Sequence, residues 1–242
     1  MKTSATLTFT RLDHIISVQD IMTQEKALKR ADTIENATHL FKEYDVVPYP
    51  KAGKIRGFFR RKIEELIYLR PENLISDSTS LLDLPQLLEQ DSFRFVISAN
   101  EIAGYVHYSD LNEPPMKIPL FVLFQEMEKS LWDRIKGRIT EDIIHEVFKN
   151  QAKEYVKERN KARRSNVNVD TGWTGVFCLP AILSLAWHFK EFKKIELSDD
   201  KIKLLRTIRN KIAHADRNLI NGHADIRQLV EAIHLCEAVS KS

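Results

Sequence analysis

The sequence predicts an α+β chain of two domains. Residues 1–113 alternate short strands with short helices, and residues 118–242 form an all-α up-and-down helical bundle. Three observations predict this. The first half repeats itself at an offset of 47 residues, which brings Val46 onto Phe93 and Gly57 onto Gly104. A proline cluster at Pro114, Pro115 and Pro119 then interrupts the pattern. Beyond it, apolar residues recur only at helical spacing. At 242 residues and 43% hydrophobic content, the chain has ample apolar material for a core, which excludes a disordered protein.

Each copy of the repeat has the same grammar. Ile34, Ala37, Leu40 and Phe41 mark a helix in the first, and Leu81, Leu84, Leu87 and Leu88 mark one in the second. Two strands follow in each, at 46–49 and 55–59, then at 93–98 and 102–107. Pro50 and Gly53 supply the turn in one copy and Asn100 in the other. A repeated β-α-β-β unit predicts an α/β domain with an internal pseudo-twofold. The segment 112–119 reads as a stiff boundary.

Helices occupy the rest. Leu120, Leu123, Phe124, Met127, Leu131 and Ile135 define the first. Ile143, Ile144, Val147 and Phe148 open the second, with Thr140 as its cap and Glu141 and Asp142 at its positive end. A loop with Gly172 and Gly175 precedes a third helix at about 177–192. The fourth starts after Ser198 and the fifth covers 225–239, which makes a five-helix bundle. Trp132 and Trp187 fall on these patterns and are expected in the core. Cys178 and Cys236 are expected to act as small hydrophobes.

Composition narrows the function. The longest apolar stretch, 176–187, has 12 residues and contains Pro180, where a membrane-spanning helix needs roughly 18 or more. The N-terminal residues have no apolar signal core, and two cysteines cannot build a disulfide framework or a thiolate metal site. A reducing cytoplasm is the expected location. No His/Cys/Asp cluster has ligand spacing, so no metal is expected. The net charge of +3 is uneven: residues 1–117 carry 15 basic and 17 acidic groups, and the remainder 22 and 17. Lys149 to Arg164 concentrates the excess, with Lys157, Arg159, Lys161, Arg163 and Arg164 at its end. Such a run attracts phosphates. It also fits a solvated helix face.

The repeats, with VQDIMT near the start and EIAGYVHYSDL at the end, resemble a tandem CBS domain. That resemblance implies repeated β-α-β-β-α units forming a disc with two clefts, which take AMP, ATP or S-adenosylmethionine as regulators. Asp110 stands where the family holds the ribose hydroxyls, and a carboxylate suits two vicinal hydroxyls. His107 stands where the family has a phosphate-binding Thr or Ser, with Ser109 nearby. Ile63 replaces the carboxylate in the first repeat, although Arg60, Arg61 and Lys62 remain for phosphates. A disc serving only dimerisation is the alternative.

The fourth helix, KIKLLRTIRNKIAHADRN, resembles a HEPN domain through Arg209-Asn210-Lys211-Ile212-Ala213-His214, an Arg and a His at the superfamily's spacing. Three further Arg/His pairs share that spacing: Arg138/His145, Arg217/His223 and Arg227/His234. Context selects the first. At about 100° per residue, Leu204, Leu205, Ile208, Ile212 and Ala215 share one face, and Arg206, Asn210 and His214 the opposite one, with Arg209 at its edge. PLFVLFQEMEKSLWDRI resembles the first HEPN helix, with Glu128 as its inward acidic residue. Alternatively, Arg209 pairs with a carboxylate and His214 sits at a helix C-terminus.

The HEPN resemblance implies a metal-independent endoribonuclease of toxin or defence-effector type, built as a homodimer with a composite site. In it His214 moves the proton of the 2′-hydroxyl, Arg209 meets the developing phosphate charge and Asn210 orients His214 or a phosphate oxygen. Arg206 supports them, and the basic run holds RNA. Trp173 is a candidate for base stacking or for a loop anchor. The resemblances together imply a nucleotide-regulated ribonuclease with a possible antitoxin or partner protein and no membrane. The alternative is a non-catalytic RNA- or protein-binding module.

Overall fold

The computed structural model describes residues 16–61, 63–164, 173, 176–194 and 197–241. By its contacts the chain divides into two compact units. One is Met1–Pro119 with Asn218–Val230, and the other is Leu120–Arg217 with Glu231–Ser242.

The first unit holds two sheets. β2 (Val46–Tyr49), β3 (Gly57–Arg60) and β4 (Ile63–Tyr68) form an antiparallel sheet in that order. β1 (Thr23–Gln24), β7 (Glu101–His107), β6 (Phe93–Ser98) and β5 (Leu74–Ser76) form the other, with only the β5–β6 pair parallel. Helices α1 (Ile34–Leu40) and α2 (Leu84–Leu88) precede the strand pairs of their repeats. Thr33 caps α1 by accepting from the Asn36 N–H.

Alternation along the strands builds two layers of core. Val46 and Phe58 join Phe93 and Phe95 in one apolar cluster, with Tyr105 packed against it. Their rings meet edge-on or tilted at 5.1–5.8 Å, apart from the stacked Phe93–Tyr105 pair. Val47 and Phe59, one residue along each strand, join Ala31 and Ala37 in the second cluster, with Ile34 and Leu40 of α1.

The expected repeat of β-α-β-β-α needs correction. In the first copy the chain turns after Arg60 and pairs with β3 as strand β4, where the family pattern has a helix. The backbone of β4 satisfies the open edge of β3 there. In the second copy the corresponding edge, on β7, is taken by β1 from near the N-terminus. Gly57 and Gly104, 47 residues apart, do the same job on β3 and β7. A Cβ at Gly57 would stand 2.6 Å from the Ile67 carbonyl oxygen, and one at Gly104 would stand 2.5 Å from the Thr23 carbonyl oxygen. Each glycine admits the third strand.

The segment read as a stiff boundary opens a helix, α3 (Pro114–Ile135), and the division between the two units falls after the Pro119 inside it. Pro114 and Pro115 occupy its first positions, where an N–H would have no intrahelical acceptor. The segment 218–230 ties into the first unit through specific bonds. Asn112 donates to the Ile220 carbonyl and accepts from the Ile220 N–H, both at 3.0 Å. His223 Nε2 lies 2.9 Å from the Leu88 carbonyl oxygen, and Arg227 pairs with Glu89 at 3.1 Å.

In the second unit Leu120, Leu123, Phe124, Met127, Leu131 and Ile135 of α3 are all buried, following the spacing in the sequence. The next helices are α4 (Glu141–Phe148), α5 (Ala152–Arg164), α6 (Leu179–His188), α7 (Asp199–Ala213) and α8 (Ile226–Lys241). Thr140 and Ser198 cap α4 and α7 with their side chains. The single second helix of the sequence reading is two, since Lys149, at φ 44°, ends α4. Trp187 does not enter the core: it is 47% exposed. Cys178, at the N-cap of α6, is exposed too, while Cys236 is buried as expected. Among the described residues no helix is long and apolar enough to cross a membrane.

Candidate functional site

The second repeat ends in a cleft of the first unit. Strand β7 delivers His107, and the chain then turns through a short 3₁₀ helix, Tyr108–Asn112. Asp110 closes this turn from within, its Oδ2 accepting the His107 N–H at 2.8 Å. His107 Nδ1 lies 2.9 Å from Ser109 Oγ. A tight local turn thus brings His107, Ser109 and Asp110, the three residues expected from the sequence, to one place. They line a cleft of about 290 Å³ with Thr23, Glu43, Tyr44, Asp45, Val46 and Tyr105.

Sequence reasoning missed Asp45, Glu43 and Tyr105. Position 45 lies just before β2. Tyr105 is two residues before His107 on β7, so period-2 alternation puts these two aromatic residues on one face. Their rings lie parallel, at 9° and 6.4 Å between centroids. Asp45 comes from the first repeat, and no spacing within the second repeat points to it.

Burial governs the cleft's electrostatics. It pushes the Asp110 carboxyl up to about 6, helped by the charge of Glu113 and opposed by the His107 N–H. Burial also holds the His107 imidazole below its ordinary value, with Asp45 opposing. His107 Nε2 stands 4.0 Å from Asp45 Oδ2 and is buried with no hydrogen bond. The Tyr105 phenol is raised by burial and then by the Asp110 and Asp45 carboxylates. At neutral pH the cleft is therefore a hydrogen-bonding, acidic site with a largely neutral imidazole.

The equivalent place in the first repeat is built differently. Arg60 stands at the position of His107, and it pairs with Asp91 at 2.9 Å. Its guanidinium carbon lies 5.7 Å from the Phe93 ring centre. Arg61 is bound to Asp45 at 3.2 Å and to the carbonyls of Phe41 and Tyr44. Both arginines read as phosphate arms are thus engaged internally, and the Lys62 side chain lies outside the described residues.

In the second unit α3 and α7 bring Glu128 and Arg209 together. Glu128 Oε1 lies 3.9 Å from Arg209 Nε, close enough for attraction and too far for a hydrogen bond. Burial raises the Glu128 carboxyl and Arg209 opposes that rise. Arg206, one turn before Asn210, points to α6. It donates at 3.0 Å to the Pro180 carbonyl and to Ser184 Oγ. Asn210 is exposed.

The face expected to carry Arg206, Asn210 and His214 is therefore not one surface. Arg206 is drawn into packing, and α7 ends at Ala213, so His214 is the exposed C-cap residue in extended conformation. A cation is favoured at that end of a helix. Ala215 lies past the helix as well.

The basic run divides too. Lys157 and Lys161 are exposed one turn apart on α5. Arg159 is turned inward instead, with its side chain 15% exposed. It pairs with Glu141 at 3.0 Å and sits 4.3 Å over the Trp173 ring. Trp173 is 3% exposed and stacked on Phe177, so it offers no platform to a base. The side chains of Arg163 and Arg164 lie outside the described residues. No group of three or more His, Cys, Asp or Glu side chains that could hold a metal occurs among the described residues.

The chain matches no protein-family profile and no curated protein. Its N-terminal part is similar to several solved structures. One is the CBS domain of the bacterial CNNM/CorC family Mg2+ transporter in complex with ATP, at 18% identity and a TM-score of 0.33, covering 42% of this chain and 87% of that one. Another is CBSX2 in complex with AMP, at 17% identity and a TM-score of 0.35, covering 43% of this chain and 98% of that one. A third is an uncharacterized conserved protein from Pyrococcus horikoshii, at 18% identity and a TM-score of 0.34, covering 41% and 91%. The ATP and the AMP are ligands of those proteins.

Proposed function

We propose that this chain is an adenosyl-ligand-regulated protein of CBS–HEPN type whose helical unit is a metal-independent endoribonuclease. The observation that carries the reading is the convergence of His107, Ser109 and Asp110 on one cleft, at the end of the second repeat. Asp110 accepts the ribose hydroxyls, since one of its oxygens is engaged locally and a carboxylate has lone pairs to spare. Ser109 and Thr23 supply further polar contacts. With Arg60 and Arg61 both engaged, the first repeat offers no matching site.

The chemistry assigned to the helical unit needs three events. The 2′-oxygen of RNA attacks the adjacent phosphorus, the bond to the 5′-oxygen breaks, and a proton passes from the 2′-hydroxyl to that leaving oxygen. His214 moves the proton, and its place at an exposed helix end gives it access to a strand. Arg209 meets the charge on the phosphorane, and Glu128 behind it fixes its direction. Arg206 acts as a brace that holds α7 on α6. Lys157 and Lys161 hold the backbone. A homodimer would bring two Arg–His pairs to one substrate, and the products would end in 2′,3′-cyclic phosphate. An RNA-cleaving unit under ligand control fits a toxin or defence effector, with an antitoxin as its partner.

The test is RNA cleavage in EDTA by the wild type and by a folded His214→Ala variant, each with and without AMP, ATP and S-adenosylmethionine. Cleavage that falls about 100-fold or more in the variant is the expected outcome. Intact RNA under every condition sinks the ribonuclease. A second reading is then favoured by the Glu128–Arg209 pair and by the placement of His214 beyond α7. In it the helical unit binds RNA or a protein without cleaving, and ligand still acts through the cleft.

A further inference from the structure

The charge of the cleft on β7 is the wrong sign for a phosphate. Glu43, Asp45 and Asp110 line it, and among its described lining residues there is no lysine or arginine. The remaining ionisable groups there are the two tyrosines and His107, whose imidazole burial keeps toward its neutral form. Arg61 balances Asp45 from outside the lining, with its other nitrogen turned to the carbonyls of Phe41 and Tyr44. Two carboxylates are left facing the space without a cationic partner among the lining residues. The same position in the first repeat has Arg60 where this cleft has His107, so the arginine that would meet a phosphate is found on the wrong side of the pseudo-twofold, and there Asp91 holds it.

A triphosphate in this cleft would bring several negative charges against those carboxylates in a partly desolvated space, where repulsion is poorly screened. A ligand carrying positive charge beside its ribose gains from the same field. The parallel Tyr105–His107 rings and the hydroxyls of Thr23 and Ser109 make no demand for an anion. We infer that the cleft selects a positively charged adenosyl ligand, an adenosyl sulfonium, over adenosine phosphates. This rests on the adenosyl reading of the cleft given above.

Titration calorimetry of the full chain at near-physiological salt tests it, with S-adenosylmethionine, its uncharged thioether S-adenosylhomocysteine, adenosine, AMP and ATP as probes. The sulfonium is expected to bind about tenfold or more tighter than the thioether and than ATP. In Glu43→Gln/Asp45→Asn the preference should shrink to about threefold or less, with the affinity for adenosine little changed. Equal binding of sulfonium and thioether, or tighter binding of AMP or ATP, overturns the inference and leaves an adenosyl site standing. Binding of none of the five overturns both that site and the charge selection. Asp110→Asn separates the two claims further: it should weaken all five probes, and the sulfonium most because a facing charge is lost as well, where the double variant weakens only the cation.

Discussion

Asp110 carries two burdens, and they pull in opposite directions. Its carboxyl closes the turn after β7 through the His107 N–H, and it is buried enough for its pKa to rise from 3.8 to about 6. A carboxyl whose folded value exceeds its unfolded value contributes stability below about pH 3.8, and that contribution is lost as pH rises through about 6. At neutral pH the ionised group costs on the order of 3 kcal/mol relative to acid. Asp110→Asn keeps an acceptor for the N–H and carries no charge. Its melting temperature relative to wild type should therefore climb between pH 4 and pH 7, while ligand binding falls. A pH-independent difference would show that burial does not govern this group. The sequence made Asp110, Ser109 and His107 legible because they lie within four consecutive residues. Asp45 was not legible, because its place in the cleft comes from how the two repeats face each other.

At the scale of elements the sheets depend on two glycines. Gly57 and Gly104 each allow a third strand to approach within a distance that no Cβ tolerates. Gly104→Ala should cost about 1–3 kcal/mol, read as a lowered urea midpoint, because the Thr23 backbone must move. Since Thr23 also lines the cleft, ligand affinity should fall in the same variant. Gly57→Ala should destabilise to a similar degree with a smaller effect on binding. Equal loss of affinity in both would mean that the cleft responds only to global stability. The repeat offset foretold these glycines, and helical spacing foretold the buried faces of α3 and α7. It did not foretell β4, since a short apolar run after Arg60 suits a helix or a strand until the neighbouring edge is known. The end of α7 was equally hidden. The helical pattern runs on through Ala215, whereas the backbone turns to extended geometry at His214.

At the scale of the whole molecule the proposed activity makes a demand on assembly. A composite site needs two copies, so sedimentation velocity of the full chain should give the mass of a dimer, about twice the 28.1 kDa of the chain. His214→Ala should leave that mass unchanged. An equimolar mixture with wild type should cleave less than the wild-type share alone would, because half of the chains share a site with a defective partner. A monomer with full activity would place the reaction within one chain. The sequence conveyed two kinds of architecture, yet it carried no sign that residues 218–230 return to the first unit, because a contact of that kind leaves no periodic trace.

The bonds from Asn112 to Ile220, and from His223 and Arg227 to the end of α2, also set an order of events during synthesis. A ribosome releases the strands of the first unit long before it reaches the segment that completes their packing. The nascent sheets must wait, with part of their surface uncovered, until residues 218–230 have emerged. The two units therefore mature late and close together, and a chain cut short before Asn218 would possess a finished copy of neither.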